Sequence, residues 1–153
     1  IAATLGTVAF TFLSPVDSVI EWVPFSKSRL VELQREGSPV MVDFSAEWCL
    51  TCKYNLTFAI ETPRVKRALE EANIVPMLAD WTDGSPEIKA MLESIKSKSI
   101  PVLAFFPPAT KQNEASTPII LRDLVTESQV LDAIKQAGIG PQTIPDIRSR
   151  SGI

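Results

Sequence analysis

The chain has 153 residues, no histidine, two cysteines and a net charge of −3, with 45% hydrophobic and 22% charged residues. That length suits one globular domain, and the missing imidazole excludes Ser-His-Asp and Cys-His catalysis as well as histidine metal ligands. Two cysteines complete neither a four-thiolate zinc site nor a dense disulfide framework, and the acidic balance leaves no phosphate-neutralising excess for nucleic acid. What remains is chemistry by cysteine, carboxylate, lysine or serine.

Ile1 to Leu13 is apolar and uncharged, but thirteen residues fall short of the roughly 20 that span a bilayer. The chain begins at Ile1 and lacks the basic flank of a signal peptide. Residues 1–18 are therefore expected to be either a surface-packed segment or the end of a membrane helix truncated upstream. Val19 to Val23 predicts a short edge strand stopped by Pro24. Ser26 predicts a cap for a helix through Glu36 that carries Leu30, Val31 and Leu33 and stops at Gly37. Pro39 to Ser45 reads as a central strand covered on both faces, with one charge in it, Asp43.

A helix is expected from about Cys49 to Ile60, with Cys52, Leu56, Ala59 and Ile60 on its inner side. Thr62-Pro63 opens the next helix, with Val65, Ala68, Leu69 and Ala72 inward. Asn73 to Leu78 predicts a strand whose Pro76 implies a bulge or an edge. Ser85-Pro86 starts a helix striped by Ile88, Met91, Leu92 and Ile95. Val102 to Phe106 is a second buried strand. A polar loop from Pro107 leads to a partner strand, Pro118 to Leu121. Thr126 and Gln129 form a capping box for a helix burying Val130, Leu131, Ile134 and Ala137 up to Gly138. Residues 139–153 read as a flexible tail. The order predicts an α/β domain over residues 19–138: a mixed sheet with helices on both faces, a parallel crossover first and an antiparallel hairpin second.

The chemistry concentrates at Trp48-Cys49-Leu50-Thr51-Cys52-Lys53, where the buried strand passes into a helix. A three-residue spacing puts both sulfurs on one helix face, close enough for a disulfide. Cys49 then lies beside the free N–H groups and positive dipole end of the helix start, which favour thiolate over thiol. Cys52, one turn inside, is shielded. Cys49 is the expected attacking sulfur and Cys52 the resolving one. A zinc half-site would need ligands that the sequence does not offer, so no metal is expected.

These residues carry a resemblance. Val42 to Cys49 with Cys52-Lys53 resembles the active-site signature of the thioredoxin superfamily, and Ser99-Ile100-Pro101-Val102 its cis-proline segment. The longer pattern of Gly37 to Phe44, Trp48 to Asn55, Ala79-Asp80-Trp81-Thr82 and Ile100-Pro101 resembles the C-terminal thioredoxin-like domain of the DsbD family. Those are membrane thiol:disulfide interchange proteins, also known as cytochrome c biogenesis proteins. The resemblance covers about residues 19–137 and implies a thioredoxin-like fold. Leu56 departs from that family, which often carries a glutamate there, so no acid–base role transfers to it.

Asp43, a carboxylate in a buried strand, has the raised pKa expected of a proton acceptor for the inner thiol; the resemblance places it beneath Cys52. Trp48 is expected either as an apolar docking surface beside the dithiol or as packing. The resemblance implies a cis peptide at Ile100-Pro101, where the backbone would pair with an extended substrate. Glu47 reads as a surface residue, Asp80 and Asp83 as turn residues, and the Asn55-Leu56-Thr57 sequon as coincidence.

The leading expectation is a monomeric protein-disulfide reductase domain with no cofactor beyond its own Cys49–Cys52 disulfide. The resemblance implies protein thiol and disulfide substrates, a membrane-embedded electron-donor domain, and a place on the periplasmic face of a bacterial inner membrane. Leu50 and Thr51 between the cysteines, with no histidine, favour a reductant. A thiol oxidase or isomerase, and a binding module with a merely structural disulfide, are the alternatives.

Overall fold

The computed structural model describes residues 18–109 and 117–138. Its elements run β1 (Val23–Pro24), α1 (Lys27–Arg35), β2 (Val40–Ser45), α2 (Leu50–Asn55), a π-helical turn (Leu56–Ile60), α3 (Pro63–Glu71), β3 (Val75–Asp80), α4 (Pro86–Ser94), β4 (Val102–Phe106), β5 (Ile119–Arg122) and α5 (Glu127–Gly138). The strands form one sheet in the order β1-β3-β2-β4-β5. β2 runs parallel to β3 and antiparallel to β4, and β5 returns antiparallel to β4. This is the expected mixed sheet. The tail beyond Gly138, and the N-terminal segment up to residue 17, lie outside the described residues.

Period-two alternation splits the strands between two apolar layers. Val40, Val42, Phe44, Val102, Ala104 and Phe106 face α1 and α4, joining Leu30, Leu33, Ile88, Met91 and Leu92. Met41, Leu103 and Phe105 face the other way, joining Ala59 and Ile60 of the π turn and the inward stripes of α3 and α5. Both central strands are buried throughout apart from Ser45, as their continuous apolar runs require. The predicted caps are present: Ser26, Thr62 and Ser85 accept from the N–H three residues on. Thr126 and Gln129 form their reciprocal pair, at 3.3 and 2.9 Å.

Three expectations need correction. The edge strand shrinks to Val23–Pro24 because the preceding N–H groups bond elsewhere: Val19 and Ile20 donate to Glu61 Oε2 at 2.8 and 3.0 Å. Ser18 Oγ and the Trp22 indole donate to Glu61 Oε1, so one carboxylate gathers four donors from residues 18–22. β3 starts at Val75 rather than Asn73, since Asn73 sits at φ 52° and ends α3 while Ile74 N–H bonds Leu69 O.

Pro76, expected at a bulge or edge, lies in an interior strand. β1 pairs only from Met77 on, so the missing N–H of Pro76 faces a side where no strand reaches. Leu131 packs against the core as expected, half-buried, and Val31 is half-buried on α1.

Candidate active site

The C-terminal end of β2 delivers the chain to the dithiol. After Ser45, a tight turn bonds Cys49 N–H to Ala46 O at 3.1 Å, and Cys49 becomes the N-cap of α2. Its sulfur accepts from Cys52 N–H at 3.2 Å, so a free N–H of the helix start is aimed at Cys49, as a thiolate there requires. Cys49 and Cys52 are joined by a disulfide with an S–S distance of 2.06 Å and Cα atoms 5.3 Å apart. Cys49 is 8% exposed and Cys52 2%, so the N-cap sulfur is the more accessible. The pair packs with Ala46 and the half-buried Ile100.

The Ile100-Pro101 peptide is cis. Trp48, next in sequence to Cys49, has 61% of its surface exposed and so is not a packed core residue. Its indole approaches Thr82 O at 3.4 Å, and Thr82 Oγ1 accepts from Glu47 N–H at 2.9 Å. Glu47 itself is exposed. Asp80 accepts from Thr82 N–H and hydroxyl, a turn-forming role.

Asp43 is 3% exposed, and its Oδ2 is a buried oxygen with no hydrogen-bond partner. It shares a strand face with Met41, and that face is covered by Ala59 and Ile60 of the segment that continues α2. Burial, and secondarily the negative charge of Glu61, raises its pKa to about 7. It makes no hydrogen bond to either sulfur in this disulfide form. The structure thus puts Cys49, Cys52, Trp48, Ile100 and Pro101 together, with Asp43 beneath the helix layer. Among the described residues no cluster of three or more acidic or cysteine side chains could hold a metal.

Sequence reasoning missed Asn55. Leu56 packs against the core as expected, partly buried, and beside it Asn55 is 4% exposed. The polar amide is accommodated because both its ends bond backbone: Nδ2 donates to Asp123 O at 2.7 Å and Oδ1 accepts from Val125 N–H at 3.1 Å. Asp123 N–H in turn donates to Pro101 O at 3.3 Å. A chain of bonds therefore ties α2 to the proline loop. The signal was its spacing, three residues after Cys52 and four before Ala59, on the inward face.

This burial also closes the sequon to modification. Asn55→Ala would orphan a carbonyl and a buried N–H. It is expected to lower stability by about 2–4 kcal/mol, read as a lower midpoint with unchanged slope in urea unfolding.

The comparisons agree with this geometry. A family model described as Thioredoxin-like matches residues 21–108. The chain is 31% identical over 106 residues to thiol:disulfide interchange protein DsbD of Cronobacter sakazakii, covering 69% of this chain and 17% of that protein. It is 36% identical over 73 residues to DsbD of Yersinia enterocolitica, covering 48% and 12%. The chain thus spans under a fifth of the length of these relatives.

Among solved structures, the oxidised C-terminal domain of DsbD from Neisseria meningitidis superposes with a TM-score of 0.55 at 23% identity, covering 72% of this chain and 91% of that one. A thioredoxin from Thermus thermophilus gives 0.63 at 24%, covering 79% and 88%. With the dithiol capping α2, the cis-proline beside it and the mixed sheet beneath, the chain belongs to the thioredoxin-like family and is similar in sequence to DsbD.

Proposed function

We propose that this domain is a thiol–disulfide oxidoreductase working as a protein-disulfide reductase. The observation that carries the proposal is the Cys49–Cys52 pair itself: a reversible disulfide whose outer sulfur caps a helix and receives a backbone N–H. In the reduced form, the Cys49 thiolate attacks a partner disulfide; the partner's S–S bond breaks and a mixed disulfide forms. Cys52 then attacks Cys49, closing the intramolecular disulfide and releasing the partner as a dithiol. Two electrons pass to the partner, whose two thiolates take protons from solvent, and the proton that Cys52 gives up goes to Asp43, whose pKa suits exchange near neutrality. Trp48 and Ile100 border the sulfurs and would receive the apolar surroundings of the partner's cysteine.

Similarity to DsbD supports the further proposal that the domain is re-reduced by a membrane-embedded donor, faces the periplasm and serves thiol traffic such as cytochrome c biogenesis. Among the described residues, no helix is long and apolar enough to cross a membrane, so the donor would lie outside them.

Direction is a matter of potential, about 30 mV for each tenfold in equilibrium. Equilibration of the domain with glutathione redox buffers, read by alkylation of the free thiols, is expected to give a potential more reducing than the glutathione pool. A more oxidising value would assign the domain to oxidation instead, and an inert disulfide would leave a binding module.

A further inference from the structure

A cavity of about 520 Å³ lies between α4, the connection from β3 to α4 and the connection from α4 to β4. Trp81 and Leu92 supply apolar wall; Lys89, Lys96 and Lys98 line it together with a single acid, Glu93. The whole chain carries −3, yet this lining has three cations to one anion. None of the three lysines enters an ion pair among the described residues. The indole N–H of Trp81 is buried without a hydrogen-bond partner.

Short stretches of chain link both walls to residues next to the dithiol. Trp81 precedes Thr82, whose carbonyl and hydroxyl meet Trp48 and Glu47 on one side of the dithiol. Lys96 to Lys98 lead through Ser99 to Ile100, which packs on the Cys49–Cys52 pair. That short link is ordered: Ser97 is buried and its hydroxyl bonds Ser99 O at 3.3 Å. An extended peptide advances about 3.3–3.6 Å per residue. A peptide laid along Ser99 to Pro101 with its cysteine at Cys49 would reach the cavity within a few residues.

We infer that this cavity is a specificity site for the acidic side chains of a protein partner that lie a few residues from its disulfide. The inference rests on the exchange reading above and names its substrate class: disulfides with aspartate or glutamate close by. The lysines act as partly exposed charges, so their contribution falls with salt, and each pair is modest. Together they bias the encounter and the bound register rather than the chemistry of the sulfurs.

The test compares two peptides with the same disulfide loop, one flanked by Asp and Glu and the other by Asn and Gln. The reduced domain is expected to favour the acidic peptide by about tenfold in kcat/KM at low salt, with the preference collapsing near about 0.5 M salt. The double variant Lys96→Glu with Lys98→Glu should abolish or reverse that preference. Its rates with the neutral peptide and with uncharged dithiodipyridine should stay as in the parent. Absence of a preference in the parent overturns the inference, as does its survival in the variant.

Binding of the acidic peptide with serines for cysteines, measured on the oxidised domain by fluorescence anisotropy, reads the cavity alone. Charge-dependent binding there supports the site even if dithiodipyridine shows no exchange, an outcome that would sink only the exchange reading.

Discussion

Replacing Cys49 with serine is expected to cut disulfide exchange by about a thousandfold or more, equivalent to about 4 kcal/mol of lost barrier lowering, because the only sulfur open to a partner is gone. Cys52→Ser should behave differently. Cys49 keeps its place as N-cap, since the N–H it receives comes from the backbone of residue 52, which the substitution leaves intact. Attack proceeds, resolution does not, and the domain accumulates as a mixed disulfide with its partner. Non-reducing gels after incubation with a disulfide substrate separate the two variants: no adduct for Cys49→Ser, a stable adduct for Cys52→Ser. Adducts that form equally on both variants, or only on Cys49→Ser, would reverse the roles assigned to the two sulfurs. Each variant breaks the disulfide, so stability should be compared with the reduced parent.

The second large effect concerns stability. Asp43 has a pKa of about 7 in the folded domain against about 4 in the unfolded chain, chiefly through burial. The folded state therefore binds the proton more tightly. This group leaves stability intact below about pH 4, erodes it as pH rises toward 7, and costs a constant amount above that. At pH 8 the penalty is about 4 kcal/mol, and at pH 5 it is about 1 kcal/mol. Asp43→Asn cannot ionise, so the oxidised variant should gain about 2–3 kcal/mol relative to the parent between pH 5 and pH 8. Guanidinium unfolding at the two pH values measures this directly. Parallel pH dependences for parent and variant would show that Asp43 is not the group that titrates. The same variant should slow resolution by Cys52, leaving a domain that is more stable and less active.

Much of this fold was legible because its signals are local. Ser26, Thr62-Pro63, Ser85-Pro86 and the Thr126–Gln129 box are read within four residues of chain, and each caps a helix in the structure. The uninterrupted apolar runs of β2 and β4 announced burial on both faces, and Asp43 stood out against one of them. Cys49 and Cys52 were legible because spacing alone brings sulfurs together on a helix start.

The failures are long-range. Residues 18–22 have strand-forming side chains, but their donors turn to Glu61, about forty residues on, and nothing near either partner announces the bond. Asn55 looked like a sequon residue because its two backbone partners lie 68 and 70 residues away. Leu56 packs against the core as read, but the amide beside it is buried more deeply because two backbone groups bond it.

The gathering of four donors on Glu61 has a mechanical consequence. Tension that enters this domain through Ser18 meets the Glu61 bonds before it reaches β1, which pairs with β3 over only two residues. Because these bonds share one carboxylate, they bear load together and fail together. Glu61 closes the turn that follows α2, so this load path ends on the segment bearing Cys52. A pull from that side is thus delivered first to the turn that continues the redox helix.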